Sequence, residues 1–167
     1  SAASDVYKRQ ALCLTTTASF SDVKLGIIIG FTGPIESLTP DMAAGAELAI
    51  EEVNKSGSFS MGKVSGIRAD STCIDSSAAT AAAERLITSD KVNGIMGADC
   101  SGVTTAILQQ VALANGMVMV SPSATSPALS TVEDNNLFFR TAPSDARQGQ
   151  VIADILQEKG MNSVAIS

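Results

Sequence analysis

Histidine is absent from all 167 residues, and so is tryptophan. The first absence excludes a Ser-His-Asp or Cys-His nucleophile pair and the usual histidine-containing zinc sites. With aromatics at only 4%, the chain by itself cannot supply an aromatic cage or a base-stacking platform. Positive charge is scarce as well: 11 Lys plus Arg against 17 Asp plus Glu leave a net charge of -6, and no basic run appears. Nothing therefore marks nucleic acid or an anionic membrane as a partner. No segment reaches the roughly 18 consecutive apolar residues that a membrane span needs. What is present is 45% apolar content, enough to bury the core of one domain or a little more. A small solute is the partner this balance favours.

The N-terminal stretch reads differently from the rest. Residues Ala11 to Ser21, ALCLTTTASFS, resemble the tail of a secretory signal, with Ser19 and Ser21 at the minus-three and minus-one positions of a cleavage site. The preceding SAASDVYKRQ lacks the apolar stretch of about 7–15 residues that a complete signal carries. Cys13 follows Leu12 where lipid attachment wants a small residue, so lipidation is not expected. Residues 1–21 are accordingly set apart as a signal-peptide remnant with a doubtful upstream extension.

From Asp22 onward, short apolar runs alternate with helical patterns, the signature of βαβ units around a parallel sheet. Leu25 to Ile29 is the first expected strand, fully apolar after Gly26 as a strand covered on both faces should be. Thr39-Pro40-Asp41 reads as N-cap, first-turn proline and first-turn acid of a helix. Met42, Gly45, Ala46, Ala49, Ile50 and Val53 form its apolar stripe, and Gly57 ends it. A turn at Met61-Gly62-Lys63 leads to a strand over Ser65 to Asp70. A second helix spans Ser76 to Ser89 with Ala79, Ala82, Ala83 and Leu86 inward. Then come a strand at Val92 to Met96 and a helix from Ser101 to Ala114 with Val103, Ala106, Ile107, Val111 and Ala114 inward. A strand at Met117 to Val120, a Ser- and Pro-rich loop, and a strand at Leu137 to Arg140 follow. The helix Asp145 to Lys159, closed by Gly160, precedes a last strand at Val164 to Ile166.

In an open parallel sheet, ligands bind beyond the carboxyl ends of the strands, so the loops there are the places to inspect. Around the first, Phe31 to Leu38, glycines stand at 26, 30 and 33, which is not the GxGxxG spacing of a dinucleotide site. A nucleotide-using α/β enzyme, with this loop on a phosphate, stays a less favoured alternative. The loop Gly97 to Gly102 delivers Ser101 to a helix N-terminus, where free N–H groups favour a carboxylate; Ser101 as a simple helix cap is the competing reading. The loop Ser121 to Thr125 is polar yet leaves a buried strand directly, and it reads equally as an ordinary turn. Cys73 and Cys100 both fall at the carboxyl edge of the sheet. Either a disulfide or two free thiols fits that placement, and an exported protein favours the disulfide. No metal set or cofactor motif stands out.

Gly33-Pro34, the Gly45 to Ala49 helix with Val53-Asn54, Gly97 to Ser101, Ser121 to Leu129, and Phe139-Arg140-Thr141 before Asp145 and Gln148-Gly149 together resemble one family. It is the leucine/isoleucine/valine-binding proteins among the type I periplasmic binding proteins, and the likeness runs from about Val23 to the last residue. The resemblance implies a Rossmann-like α/β lobe (residues 22–141, incomplete), with residues 142–167 crossing a hinge into a second lobe. It implies a non-enzymatic, periplasmic, monomeric solute-binding protein that passes a small amino acid to an ABC permease of the inner membrane. By the same resemblance, Ser101 would bind the ligand α-carboxylate, the Ser123 carbonyl the α-ammonium, and Thr125 both, with Ala124 in the same ligand loop. The cysteines would form a disulfide. Leu38 stands where relatives often place an aromatic wall, which leaves the ligand side chain open. A sensor ectodomain or an amide receptor would share this fold with a different partner.

Overall fold

The apolar run at the start of the second segment becomes β1 (Val23–Ile29), with Ile27, Ile28 and Ile29 all buried. Burying each such side chain contributes roughly 1.5–3 kcal/mol, so this strand anchors the core on both faces of the sheet. The computed structural model describes residues 22–60 and 62–165. The signal-like segment, Cys13, Met61 of the expected turn and Ile166 of the expected last strand lie outside them.

Along the chain follow α1 (Thr39–Ser56), β2 (Val64–Asp70), α2 (Ser76–Thr88), β3 (Gly94–Gly97) and α3 (Ser101–Ile107). A π-helical segment, Leu108–Ala112, then leads into α4 (Leu113–Asn115), β4 (Met119–Ser121), a 3-10 turn at Pro127–Ser130, β5 (Phe138–Arg140) and α5 (Asp145–Glu158). The five strands are parallel in the order β2-β1-β3-β4-β5. The order reverses between β1 and β3, which makes the carboxyl ends of those two strands the crevice where such sheets take ligands. Val164 and Ala165 belong to no strand.

One core lies between the sheet and α2, α3 and the π segment, around Ile28, Leu86, Ile95, Ile107 and Met119. A smaller one sits under α1, around Ile27, Ile29 and Ala43. α2 matches its expected inner face: Ala79, Ala83 and Leu86 are buried, and Asp75 caps it by accepting from the Ser77 and Ala78 amides.

Three details depart from the pattern read in the sequence. Thr39 does not cap α1; Leu38 holds the cap position without a side-chain bond. The Thr39 hydroxyl is buried and donates to the Gly30 carbonyl at 3.0 Å, tying the helix start to the end of β1. The α1 stripe is less buried than expected, with Gly45, Ala49 and Val53 exposed. The physical reason is an open apolar channel of about 490 Å³ beside α1, walled by Leu25, Ile50, Val53, Phe59 and Met96 among others. In the third helix, the π segment inserts an extra residue into one turn, so Ala112 turns inward and Ala114, expected inside, faces solvent.

Candidate functional site

β3 ends at Gly97, whose φ of +134° is open to glycine and whose added Cβ would strike the Ile28 carbonyl. A side chain there would push β3 off β1 and displace everything that follows. Next comes Asp99, only 3% exposed. Its carboxylate accepts from the Gly30 amide at 2.8 Å, the Ser71 hydroxyl at 3.0 Å and the Cys100 amide at 3.0 Å. One buried group thus joins the exits of β1, β2 and β3. Losing a partner to such a bond leaves a buried charge unsatisfied, which is why the three loops hold together.

Cys73 and Cys100 are joined by a disulfide, their Cα atoms 5.2 Å apart. The bridge ties the turn after β2 to the residue immediately before Ser101. On the β2 side, Asp70 accepts from the Thr72 amide at 2.8 Å, the Thr32 amide at 3.3 Å and the Thr32 hydroxyl at 2.6 Å. Partial burial pushes the Asp70 carboxyl up, but the Thr32 hydroxyl and the amides of Thr72, Thr32 and Phe31 outweigh it and hold the group below its ordinary value. Gly33, at φ +99°, lets the first loop come against the Thr72 carbonyl where a Cβ would collide.

Ser101 is the first residue of α3, and Cys100 occupies the cap position. Its hydroxyl does not cap the helix. Instead its oxygen accepts from the Thr125 amide at 3.2 Å and the Ser126 amide at 3.1 Å. A serine hydroxyl has two acceptor sites and one donor, so both lone pairs are used and the O–H donates to no protein acceptor among the described residues. The structure therefore brings the Ser101 and Ser121–Thr125 loops together.

The second loop is held from several sides. The Ser121 hydroxyl donates to the Ala98 carbonyl and accepts from the Ala124 amide, and the Ser123 hydroxyl donates to the Asp99 carbonyl at 3.0 Å. Arg140, on β5, donates to the carbonyls of Ala124 at 3.3 Å and Ser126 at 2.8 Å and to the Ser130 hydroxyl. The Thr141 amide takes the Ser121 carbonyl, its hydroxyl takes that of Pro122, and the Asp145 amide takes that of Thr125. Among the described residues, the Ser123 carbonyl alone in this run from 121 to 126 accepts nothing. Ala124 is fully buried with both backbone groups occupied, so it shapes the loop. Thr125 is half-buried, and its hydroxyl donates to the Asp145 carboxylate at 3.1 Å.

Leu38 lies 61% exposed at the start of α1, at the same end of the sheet. The chain thus presents one unused hydroxyl donor, Ser101, and one unused carbonyl, Ser123, on the adjoining loops that follow β3 and β4, beside the switch point. That pairing suits a ligand with an anionic and a cationic end. Asp99, Arg140 and Asp145 entered the sequence reading only as members of the matching strings, with no contact or function assigned to their side chains. Nothing in a single sequence distinguishes a buried carboxylate that joins three loops from an ordinary turn acid. Arg140 carried one cue, its place in the Phe139-Arg140-Thr141 string. Among the described residues no cluster fit for a metal occurs, and no helix is long and apolar enough to cross a membrane.

Comparison with known proteins places these features. Residues 41–166 match the family described as receptor family ligand binding region. The Leu/Ile/Val-binding protein homolog 3 of Brucella melitensis is 32% identical over 90% of this chain and 40% of its own length. A leucine-, isoleucine-, valine-, threonine- and alanine-binding protein of Pseudomonas aeruginosa is 31% identical over 89% of the chain and 40% of its length. Among solved structures, the isoleucine complex of the branched-chain amino acid transporter substrate binding protein of Streptococcus pneumoniae superposes with a TM-score of 0.74. It is 26% identical and shares 83% of this chain and 39% of its own. The chain spans about 40% of the length of the curated relatives it matches.

Proposed function

Because the chain belongs to the receptor family ligand binding region family, we propose that it is the first-lobe portion of a periplasmic solute-binding protein that captures a small, branched-chain-like amino acid for an ABC importer. The observation that carries this reading is the pair of unused groups on two locked loops. The Ser101 O–H is free to donate to an α-carboxylate, and the Ser123 carbonyl is free to accept from an α-ammonium. The loops that bear them are already fixed by protein bonds, so binding costs little further ordering of the site. Thr125 touches the same ligand head through its hydroxyl oxygen.

Residues 22–141 form the ligand-binding lobe in this reading, and residues 142–167 cross the hinge and begin a second one. The uncovered channel beside α1, with Phe139 53% exposed on the sheet, is where the remaining length of such proteins would add its elements, since parallel sheets are covered on both faces. The signal-like segment 1–21 directs export, and an oxidising compartment agrees with the disulfide. The Cys73–Cys100 bridge then serves to fix the residue next to Ser101. Closure of the two lobes over the ligand provides the form that an inner-membrane permease recognises, with the full-length protein a monomer.

Calorimetric titration of the protein, carried to the length of its relatives, with leucine, isoleucine and valine against ATP tests the proposal. Saturable heat with the amino acids and none with the nucleotide is expected. Nucleotide binding without amino-acid binding would overturn it.

A further inference from the structure

Asp99 is 3% exposed and makes no ion pair among the described residues. A carboxylate in such a place costs free energy that its hydrogen bonds must offset, and no ligand contact of the proposed site uses it. Its side chain accepts from Gly30, Ser71 and Cys100, and its main-chain carbonyl accepts the Ser123 hydroxyl at 3.0 Å. Asp99 thus grips both sides of the unused pair: Cys100 directly precedes the donor, Ser101, and Ser123 bears the free carbonyl. The loop after β4 is tied at its ends by other groups, the Ser121 hydroxyl on the Ala98 carbonyl and the Thr125 and Ser126 amides on the Ser101 oxygen, while Arg140 holds the Ala124 carbonyl. Between these ties, Ser123 is anchored through its side chain on Asp99. The bonds from Gly30 and Ser71 in turn fix Asp99 against the exits of β1 and β2.

We propose that Asp99 is the positioning residue of the site, setting the distance between the Ser101 hydroxyl and the Ser123 carbonyl so that a ligand must carry its anionic and cationic groups at a matching separation. The inference rests on the amino-acid reading above and adds the residue that enforces the spacing. A fully satisfied buried polar network is rigid and specifies one arrangement, and contact groups discriminate well only when the residues beneath them are locked in this way. Without the Asp99 bonds, Ser101 and Ser123 would each still attract one end of a zwitterion. They would no longer distinguish ligands by the separation of those ends. Asp99 itself touches no ligand and acts through Cys100 and Ser123.

The 167-residue chain and its Ser123→Ala and Asp99→Asn variants are titrated with L-leucine and with β-leucine, the isomer that has one more carbon between its charged groups. Amide shifts are followed. Ser123→Ala keeps the unused main-chain carbonyl and removes only the bond to Asp99, whereas Asp99→Asn keeps that bond and gives up one side-chain acceptor. Wild type should prefer leucine. Ser123→Ala should lose about three- to tenfold in leucine affinity, the scale of one neutral hydrogen bond, with β-leucine changed by less than about twofold, because a ligand held at one end does not sense the spacing. Asp99→Asn should narrow the preference in the same way, and Ser123→Thr, which restores a hydroxyl, should recover part of it. Equal weakening of both isomers, or an unchanged leucine preference in Ser123→Ala, would make Asp99 purely structural and overturn the inference while the amino-acid reading stands. A wild type that takes both isomers alike would overturn it too. If Asp99→Asn does not fold, the Ser123 variants decide. A wild type that takes neither leucine nor another amino acid would overturn the amino-acid reading itself, and this inference with it.

Discussion

Replacing Cys73 and Cys100 together by serine should destabilise the chain by an amount that the loop it closes sets. The bridge joins residues separated by 27 in sequence, and the chain-entropy relation for a loop of that size gives about 3.5 kcal/mol near room temperature. For a chain of this size each kcal/mol moves the melting midpoint by about 2–4 °C, so a fall of about 10 °C is expected. The loss should fall unevenly. Cys100 directly precedes Ser101, whereas β5 and α5 are held by separate bonds, so amide exchange should rise first at residues 72–75 and 99–103. Urea melts of oxidised wild type and of the double variant, with hydrogen exchange beside them, measure both quantities. Peptide mapping of exported protein without reductant should find the link. A loss below about 1 kcal/mol, or two alkylatable thiols in native exported material, would refute the reasoning.

Three further outcomes follow from the same contacts. Thr125→Ala should weaken amino-acid binding in the full-length protein by about 1.5–3 kcal/mol with little effect on its melt, while Ser101→Ala should do the same and also cost about 1 kcal/mol of stability, because two loop amides lose their acceptor; wild-type affinity in both variants would make these loops purely structural. Arg140→Met should destabilise by about 2–3 kcal/mol and deprotect residues 124–130, since three acceptors lose a charged donor; urea melts with exchange mapping check it, and unchanged protection would show that the loop holds itself. Asp70, held below its ordinary value, gives stability that is fully present above the unfolded carboxyl value of about 3.9 and lost as pH falls through the lower folded one. Against Asp70→Asn the wild type should therefore be more stable at neutral pH, by less than about 1 kcal/mol given its exposure, and the gap should close in acid; a gap that widens on acidification would contradict this.

The alternation of strands and helices along the chain, the carboxyl-edge loops and the inner face of α2 were legible because they rest on periodicity and on turn residues, which are local; the order of the strands in the sheet was not read from the sequence. Ser101 was legible as a residue delivered to a helix start, but its bonds to Thr125 and Ser126 were not, because they join loops 24 and 25 residues apart. The same holds for Asp99, whose partners Gly30 and Ser71 lie 69 and 28 residues away. Ala114 was misplaced for a different reason: the periodic pattern assumes 3.6 residues per turn, and Leu108–Ala112 depart from it. Thr39 shows the limit of cap rules, since a threonine before proline suits a cap and here its hydroxyl is drawn into the core by the Gly30 carbonyl.

The central claim is that the Ser101 and Ser123–Thr125 loops hold the charged head of an amino acid. Its most direct test is an amide-shift map of residues 22–167 titrated with L-leucine. One lobe leaves those bonds facing water, where exposed ionic contacts are worth about 0–1 kcal/mol each, so millimolar or weaker binding is expected, with the shifts gathered at residues 100–103 and 121–126. Saturable shifts centred elsewhere, such as the loop 30–38, or none at these two loops, would contradict the account.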